Sequence, residues 1–565
     1  MIRSLLISSL ILTSITHLCF SQKASYDEKL RQIISLRGQA EVIIPNPGTR
    51  EIDRLTRFFS IRSVNSKSVY IVLSPLTTEW FISEGYDYQI SERNEIKGLS
   101  HSASMSEAME WESYPSYTQY DSIMRYFSSS YPSLCRLDTI GTSINGRLVL
   151  VLKISDNCKT DESEPEVFYT SSMHGDETAG FVLMLRLADY LLKNYSLDDR
   201  VKNLADNLEI WINPLANPDG TYRNGNFIVS PVRNNANGYD LNRNFPDPQL
   251  PNNVQQKENI DMMSFMESRS FTLSANFHSG TEVVNYPWDR WSVSHADEGW
   301  FYNVSRAWAD TTHLYSREGY MDYLDNGVTN GYDWYVVYGG RQDYVTYSLY
   351  GREITVELDT NFVTPSSDLN DIWEYNRRSL LGYLENALYG IHGRITDAVS
   401  NNPVRAMIFI EGHDKDNSHV FSDSLYGFFT RLLEPGSWDL KITADGYRDT
   451  IINNVDVRSG EVTNLLINIK PELNPPDTTD HANPLFYPNP GSAFITAVLP
   501  ESISGTVKIR IYNLAGTKVS DYETEVSDVN QVLLDVSRLR SGIYQIVFTS
   551  AVTNQSCKGR IVVIR

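Results

Sequence analysis

The chain has 565 residues, and its 49 lysines and arginines against 70 aspartates and glutamates give a formal net charge of -21. At about 150 residues per domain, this length predicts several domains rather than one core. Glycine and proline together number 55 residues, under a tenth of the chain, and aromatic residues make up 12%, which excludes wholesale disorder and collagen-like repeats. A charge this negative would repel a phosphate backbone, and no basic patch points to a nucleic acid. The acidity favours cationic substrates, although solubility alone could explain it.

The first 21 residues predict a secretory signal peptide. Arg3 precedes an apolar run from Leu5 to Ile15, and no acidic residue interrupts the segment. We expect cleavage near Ser21. No later run reaches about 20 apolar residues, so the sequence predicts no transmembrane segment.

The exported chain would keep three cysteines, because Cys19 leaves with the signal peptide. Cys135 and Cys158 flank a predicted β-hairpin, and Cys557 lies near the end of the chain. In an oxidising compartment a Cys135–Cys158 disulfide is plausible. Two free buried thiols are an equally good interpretation.

Sequence texture divides the remaining chain into domains. Residues 22–110 mix short helical and strand patterns and predict a small α+β N-terminal domain or propeptide. In residues 111–388, strand-like and helical runs alternate, which predicts an α/β domain whose sheet has helices on both faces. Residues 389–470 and 485–565 hold short strands and turns and predict two small all-β sandwiches. The proline-rich residues 471–484 would form a linker.

Three candidate metal ligands lie at the ends of predicted strands in the α/β domain. His174 and Glu177 follow the strand Val167 to Ser171, and His278 follows the strand Thr272 to Phe277. Open α/β sheets build their sites at the carboxyl ends of strands. Two imidazoles and one carboxylate, with water in the fourth position, are typical of catalytic zinc. Alone, the His-x-x-Glu spacing is weak evidence.

Further motifs follow in order along the same domain. They are Asn217–Gly220, Arg233–Pro246, Tyr335–Asp343 and Glu357. With these motifs, residues 112 to 470 resemble the zinc metallocarboxypeptidases, most closely the regulatory branch that includes carboxypeptidases N, E and D. The resemblance implies a mixed sheet flanked by helices at 111–388 and a transthyretin-like β-sandwich at 389–470.

The resemblance also implies catalytic roles. One zinc ion per chain would be held by His174, Glu177 and His278. Asp240 would orient a ligand histidine through its other ring nitrogen. Glu357 would act as general base on the attacking water, and Arg233 would stabilise the oxyanion.

An exopeptidase must also recognise the free carboxylate at the end of its substrate. Asn242 and Arg243 occupy the matching positions, and Arg243 offers a planar fork for two charge-assisted hydrogen bonds. Tyr335 would close over the bound residue. In isolation, Asn242–Asn244 would be an ordinary polar turn.

Asp289 and Gln342 coincide with positions that line the pocket for a terminal lysine or arginine in the basic-specific branch. A buried carboxylate there requires a cationic partner, which the substrate would supply. The alternative is a surface aspartate after a Pro-Trp turn. Arg341 stands where that branch usually has methionine, and its charge could weaken binding of a basic side chain or pair with Asp289.

The C-terminal module resembles the sorting domain of type IX secretion substrates in Bacteroidetes. The supporting segments are Tyr487–Pro490, Ile511–Gly516, Leu539–Tyr544 and the basic, apolar tail from Lys558 to Arg565. The resemblance implies export across both membranes by the type IX secretion machinery. The chain would then be released or attached at the cell surface.

Together these features predict a secreted zinc carboxypeptidase that releases arginine or lysine from the C-termini of peptides or proteins. One alternative keeps the enzyme but gives it neutral or cell-wall peptide specificity. Another is a surface protein that binds peptide termini without cutting them. Glu357 argues against this last reading, because a binding module needs no general base beside a metal.

Overall fold

The computed structural model describes residues 23–91, 98–248, 250, 254–472, 483–514, 516–526 and 530–564. The predicted signal peptide and most of the predicted linker lie outside these residues. The chain divides into two compact units. One comprises Met1–Arg394, Phe409–Leu440 and Asn453–Leu465, and the other comprises Ile395–Ile408, Lys441–Ile452 and Leu466–Arg565.

The N-terminal region is a small α+β domain, as its mixed sequence pattern predicts. Its helices are α1 (23–37), α2 (Thr49–Thr56) and α3 (Thr78–Glu84). Its strands are β1 (Ala40–Pro45), β2 (Ser60–Val64), β3 (Ser68–Leu73) and β4 (Gln89–Ile90). They pair antiparallel in the order β2-β3-β1-β4. In β1, buried residues alternate with partly exposed ones, so one face of the sheet packs on the domain's core.

The centre of the first unit is an eight-stranded sheet in the order β11-β10-β12-β9-β7-β8-β6-β5. Its strands are β5 (Cys135–Thr142), β6 (Leu148–Ile154), β7 (Glu166–Ser171), β8 (Glu209–Asn213), β9 (Phe271–His278), β10 (Thr281–Tyr286), β11 (Val328–Asn330) and β12 (Arg352–Asp359). The sheet is mixed: β7, β8, β9 and β12 pair in parallel, while β10 runs antiparallel to β12 and β6 antiparallel to β8.

Helices cover both faces of this sheet. They are α4 (Met105–Ala108), α5 (Tyr117–Ser130), α6 (Ala179–Asn194), α7 (Asp199–Asn207), α8 (Pro218–Thr221), α9 (Lys257–Glu267), α10 (Glu298–His313), α11 (Tyr323–Gly327), α12 (Gly331–Trp334), α13 (Arg341–Ser348) and α14 (Leu369–Glu385). Alternate strand residues enter different cores. Tyr169 packs in the cluster that contains α5, α6 and α14, whereas Phe168 packs in the cluster that contains α9 and α13. The α/β architecture is therefore confirmed.

The register of the central strands brings the candidate site residues together at one edge of the sheet. Because β7, β9 and β12 are parallel, their carboxyl ends lie together. Glu357 of β12 is the direct register partner of His278 at the end of β9. His174 follows β7, which pairs with the other side of β9.

Only strands are described between Gly390 and Ile469 and again between Leu485 and Val563. The first group forms two sheets in the orders β16-β13-β19 and β15-β14-β17-β18. These strands are β13 (Gly390–Asp397), β14 (Met407–Ile410), β15 (Val420–Phe421), β16 (Phe428–Arg431), β17 (Gly436–Thr443), β18 (Thr450–Val457) and β19 (Val462–Ile469).

The second group forms sheets in the orders β20-β21-β24 and β23-β22-β25-β26, around a hydrophobic core of its own. These strands are β20 (Leu485–Tyr487), β21 (Phe494–Val498), β22 (Thr506–Asn513), β23 (Lys518–Glu525), β24 (Gln531–Asp535), β25 (Gly542–Ser550) and β26 (Ser556–Val563). The predicted order, an α/β domain followed by all-β modules, is confirmed.

The three cysteines that the structure describes are buried and unbridged. Cys135 begins β5, and burial raises the pKa of the Cys135 and Cys158 thiols. Of the two interpretations of this pair, the structure therefore shows the free buried thiols. Within the described residues, every helix is too short or too polar to span a bilayer.

Candidate metal centre and substrate cleft

Three predicted ligands converge at the carboxyl edge of the sheet. His278 Nδ1 lies 3.0 Å from His174 Nδ1 and 2.6 Å from a carboxylate oxygen of Glu177. The other oxygen of Glu177 lies 2.9 Å from His174 Nδ1. All three residues are almost completely buried. The structure thus brings together residues that are separated by up to 104 positions in the chain.

This donor set fits a zinc ion. Two imidazole nitrogens and a carboxylate that face one another repel through their lone pairs unless a cation or proton lies among them. Although burial opposes ionisation, the two histidines hold the pKa of Glu177 well below its usual range. Burial lowers the pKa of His278. An anionic carboxylate beside neutral imidazoles is the form in which these residues ligate zinc.

Asp240 lies behind His174. Its Oδ1 is 2.9 Å from His174 Nε2, so the histidine turns its other nitrogen, Nδ1, toward Glu177 and His278. Asp240 also accepts a hydrogen bond from Arg233 Nε at 2.9 Å. Against the effect of burial, Arg233 and His174 hold the pKa of Asp240 well below its usual range. The carboxylate therefore fixes both the ring and the guanidinium.

Arg233 is buried beside the candidate metal ligands, where its Nη1 donates to Glu177 at 3.0 Å. Asn217 links the segment that carries Arg233 to the loop that carries His174 and Glu177, which we call the metal loop. The Asn217 amide donates to the carbonyl oxygens of Met173 and Arg233, each at 3.2 Å. This contact gives the Asn217–Gly220 motif a structural role. A Cβ at Gly175 would lie 2.3 Å from the backbone of Gly220, so only glycine allows the two segments to approach this closely.

Glu357 faces the same cavity from β12. Its Oε2 is buried and has no hydrogen-bond partner among the described residues. Burial and the neighbouring Glu177 raise the pKa of Glu357 well above its usual value. The cavity has a volume of about 230 Å³ and is lined by the three candidate ligands, Glu357 and Arg233. An acid with an uncommitted oxygen therefore lies next to the three converging ligands.

The cleft continues to Asn242, Arg243 and Tyr335, all of which line the same cavity. Asn242 and Arg243 belong to a short 3-10 turn that begins after Asp240, where the Asp240 side chain accepts the backbone N–H of Asn242. Arg243 Nη1 donates to the Asn242 carbonyl at 2.8 Å. Burial raises the pKa of Tyr335. A guanidinium and a phenol thus face the cavity beside the candidate metal ligands.

Asp289 is buried at 6% exposure, so the alternative of a surface aspartate is wrong. Its Oδ1 accepts hydrogen bonds from Asn285 Nδ2 and Gln342 Nε2, each at 2.9 Å. Burial raises the pKa of Asp289 to about 6. Asp289 and Asn285 line the cavity. The predicted pair of Asp289 and Gln342 is in direct contact.

The segment that carries Asp289 is held from helix α13. The Asp343 carboxylate accepts the backbone N–H groups of Asp289 and Arg290, each at 3.0 Å. A Cβ at Gly331 would lie 1.9 Å from Asp289 Oδ1, so a larger residue there would push the carboxylate aside. The position of Asp289 is therefore fixed by its own backbone and by a neighbouring glycine.

Arg341 does not act in either way that the sequence suggested. It points into the protein, is fully buried and lies 3.1 Å from Glu353, which is also fully buried. Its guanidinium stacks on the ring of Phe168, 4.9 Å from the centroid. Since the charge is neutralised there, Arg341 neither pairs with Asp289 nor presents a cation to the cavity.

The sequence analysis missed four residues around this cleft. Arg62 and Ser63 come from the N-terminal domain, and Phe362 follows β12; all three line the cavity. Asp176 lies between two of the candidate metal ligands in the chain and pairs with Arg62 at 2.6 Å. Because Asp176 lies inside the His-x-x-Glu spacing, the sequence could have indicated that it lies near the candidate metal site. Nothing in the sequence of strand β2 indicated that it would lie across a cleft.

Comparison with known proteins is consistent with this geometry. Residues 120–379 match the profile of the zinc carboxypeptidase family, and residues 485–563 match that of the secretion system C-terminal sorting domain. Human carboxypeptidase D is 35% identical over 358 residues, which is 60% of this chain and 25% of the relative. The chain thus spans about a quarter of the length of carboxypeptidase D.

Shorter relatives are matched over most of their length. Mouse carboxypeptidase M is 33% identical over 349 residues, covering 58% of this chain and 77% of the relative. The human carboxypeptidase N catalytic chain is 32% identical over 407 residues, covering 63% of this chain and 87% of the relative. Among solved structures, carboxypeptidase A from Helicoverpa armigera aligns with a TM-score of 0.48 at 17% identity, covering 62% of this chain and 97% of that one.

Proposed function

Because the chain belongs to the zinc carboxypeptidase family, we propose that it is a metallocarboxypeptidase that hydrolyses the C-terminal peptide bond of peptides or proteins. The observation that carries this proposal is the convergence of His174, Glu177 and His278 beside the uncommitted carboxylate of Glu357. The sorting domain marks the chain for export to the cell surface or the medium.

His174, Glu177 and His278 would hold the zinc, whose chemistry is to activate a water molecule and polarise the scissile carbonyl. Glu357 would accept the proton of the attacking water and deliver it to the leaving amine. Arg233, which donates to Glu177, would hold the oxygen of the scissile carbonyl as negative charge develops on it. Asp240 would keep the His174 ring oriented.

Arg243 and Asn242 would bind the terminal carboxylate of the substrate, and Tyr335 would cover the bound residue. We propose that the terminal side chain is arginine or lysine. Asp289 supports this, because Asn285 and Gln342 engage its Oδ1, which leaves Oδ2 as the oxygen for an incoming cation. A buried carboxylate is stabilised when such a cation arrives.

The proposal extends to the domain order. Residues 1–21 would be removed as a signal peptide, and 22–110 would form the N-terminal domain or propeptide. Residues 111–388 would be catalytic, 389–470 a transthyretin-like domain, 471–484 a linker and 485–565 the sorting domain. The type IX secretion machinery would recognise the last of these.

The first test replaces the proposed general base. Glu357→Gln is expected to abolish hydrolysis of blocked dipeptides ending in Arg, Lys, Phe or Glu while metal analysis still finds about one zinc per chain, because Glu357 is not a ligand. Glu374→Gln is the control, since Glu374 is a surface residue of α14 that pairs with Arg377. A zinc chelator should stop the wild-type enzyme.

Two results would count against the assignment. If no blocked dipeptide were cleaved in a chelator-sensitive way, the enzyme proposal would fail and a peptide-binding role would be favoured. If Glu357→Gln lost its zinc together with its activity, Glu357 would be a ligand rather than the base. Preference for Phe over Arg and Lys would reject the role of Asp289 alone.

A further inference from the structure

Strand β2 of the N-terminal domain lies in the substrate cleft. Ser60 hydroxyl contacts the Asp240 carboxylate and lies 3.4 Å from Arg233 Nε. The Ile61 carbonyl accepts a hydrogen bond from Arg243 Nη2 at 3.3 Å. Arg62 and Ser63 line the cavity together with the candidate metal ligands. Two successive residues of this strand, Ser60 and Ile61, therefore contact arginines to which the proposed function assigns the substrate, and the next two line the same cavity.

Arg62 occupies a specific site. Its Nη2 donates to Asp176 at 2.6 Å, and its guanidinium stacks on the Phe362 ring, 3.6 Å from the centroid. The Arg62 side chain is 5% exposed and that of Asp176 is 0% exposed. Gln39 supports the acid by donating to it at 3.1 Å. A buried acid together with an aromatic face forms a favourable environment for a guanidinium.

The acid and the ring belong to the catalytic domain rather than to the strand that uses them. Asp176 lies in the metal loop between His174 and Glu177, and Phe362 follows β12, which carries Glu357. A Cβ at Gly280 would lie 2.0 Å from the Phe362 ring, so the ring packs directly against the segment after His278. We refer to Asp176 and Phe362 together as the guanidinium clamp.

The guanidinium clamp is distinct from the Asp289 pocket. Asp289 accepts hydrogen bonds from Asn285 and Gln342. Asp176 accepts them from Arg62 and Gln39 instead.

We propose that the guanidinium clamp is a second cation subsite of the enzyme, filled by Arg62 while strand β2 covers the cleft, and available to the substrate once the N-terminal domain has moved away. This inference rests on the proposed function. A terminal residue has one side chain, which enters the Asp289 pocket. The cation at the clamp therefore comes from a residue upstream of the scissile bond. We assign it to the nearest one, the residue directly before that bond, so the preferred substrate ends in two basic residues.

The same contacts make the N-terminal domain an internal inhibitor. Strand β2 places the Ile61 carbonyl against Arg243 Nη2, where a substrate carboxylate would bind, and Arg62 excludes a substrate cation from Asp176. Strand β2 and the substrate compete for one cleft. Full activity requires that this strand leave it.

The first experiment measures kcat/KM of the full chain with blocked Leu-Arg and Arg-Arg dipeptides. Arg62→Ala should raise both values at least about tenfold, because truncating one partner of a buried ion pair typically removes more than the 1.4 kcal/mol that corresponds to a factor of ten. Arg31→Ala is the matched control, since Arg31 pairs with Glu79 in the same domain at the surface. It should leave both values unchanged. Arg62→Met, which keeps the apolar stem, replaces Arg62→Ala if that variant does not fold.

The second experiment tests the subsite in the Arg62→Ala background. We expect Arg-Arg to be cleaved about tenfold faster than Leu-Arg. Adding Asp176→Asn should reduce this ratio to about one. Phe362→Leu, which leaves the metal loop unchanged, should lower the same ratio and so covers the case in which Asp176→Asn loses zinc.

The outcomes separate this inference from the proposed function. If no variant released arginine from either dipeptide, the carboxypeptidase proposal itself would fail. If the wild type and Arg62→Ala were equally active, covering of the cleft by β2 would be refuted. If Arg-Arg and Leu-Arg were cleaved equally in Arg62→Ala, or if Phe362→Leu left their ratio unchanged, the second subsite would be refuted while the enzyme assignment stood.

Discussion

At the scale of single residues, the cleft contains acids whose environments give them different tasks. Glu177 is held ionised by two histidines, whereas the Asp289 carboxylate accepts hydrogen bonds from two neutral side-chain amides. Glu357 keeps one oxygen without a hydrogen bond among the described residues. The same chemical group can therefore act as a ligand, a base or a pocket for a cation, depending on its neighbours.

Asp289 gives a prediction for specificity. Asp289→Asn should lower kcat/KM for substrates ending in arginine about 100-fold, since loss of one member of a desolvated charge pair costs about 3 kcal/mol. Substrates ending in Phe should be much less affected. Asp333→Asn, on the exposed surface of nearby α12, is the control. An equal loss for arginine and phenylalanine substrates would contradict the role of Asp289.

The same residue predicts a pH dependence of KM. Burial raises the pKa of Asp289 to about 6, so below that pH the carboxyl becomes protonated and loses its attraction for a cation. KM for arginine substrates should rise as pH falls through 6, and this rise should be missing in Asp289→Asn. A wild-type KM that stayed constant down to pH 5 would contradict the assignment.

At the scale of elements, strand β12 links the site to a buried ion-pair network. Arg352, at its first position, donates to Asp297 at 2.6 Å, and Arg431 donates to both oxygens of Asp297 at 2.8 and 2.9 Å. His413 Nε2 lies 2.8 Å from the same carboxylate. Asp297, His413 and Asp414 are close enough to share a metal ion. Because two buried arginines already neutralise the acids, the cluster is better explained as an anchor for β12.

His295, beside this network, gives a prediction for stability. It packs against Trp288 and Phe301, its Nδ1 accepts the backbone N–H of Asp297 at 2.9 Å, and burial lowers its pKa to about 3. Between about pH 6.5 and 3 the unfolded chain binds a proton at His295 and the folded protein does not. The free energy of unfolding therefore decreases as the pH is lowered through this window. His295→Asn keeps an acceptor but cannot take up the proton.

From pH 7 to pH 5, the free energy of unfolding of His295→Asn should therefore fall by about 2 kcal/mol less than that of the wild type. Urea unfolding at the two pH values measures this difference. Equal losses in the two proteins would mean that His295 is protonated in the folded state. A uniform destabilisation of the variant at both pH values reports only its lost packing.

At the scale of the whole molecule, the candidate metal centre and the sorting domain lie in different parts of the chain. The candidate metal centre and the cleft lie within the first compact unit. The strands from β20 to β26 have their own hydrophobic core, which includes Ile509, Leu534 and Phe548. A module with a separate core can be removed without exposing the core of its neighbour.

Deletion of residues 485–565 is therefore expected to leave hydrolysis and the thermal midpoint of the first unit unchanged. The truncated chain should stay behind the outer membrane of a host with type IX secretion, as measured by cell fractionation. The positive control is a carrier with a signal peptide and residues 485–565, which should reach the surface or medium. Surface exposure of the truncated chain would contradict the sorting role.

The sequence by itself determined much of the scaffold and the candidate ligands. Strand β7 was predicted as Val167 to Ser171 and is Glu166–Ser171, and β9 was predicted as Thr272 to Phe277 and is Phe271–His278. Apolar runs identify buried strands from local pattern alone. Because the carboxyl ends of parallel strands lie at one edge of a sheet, the sequence alone predicts that the polar residues after these strands lie close together.

The tertiary structure alone decided which partner each buried charge has. Arg341 pairs with Glu353, whereas the sequence left its pairing with Asp289 open. Arg62 reaches Asp176 across 114 positions of the chain. Such pairs depend on how whole domains pack against each other. Residues so far apart in the chain show no sequence periodicity that would indicate which of them form a pair. Local motifs therefore identified the candidate metal ligands, but they did not reveal that Arg62 lies in the cleft.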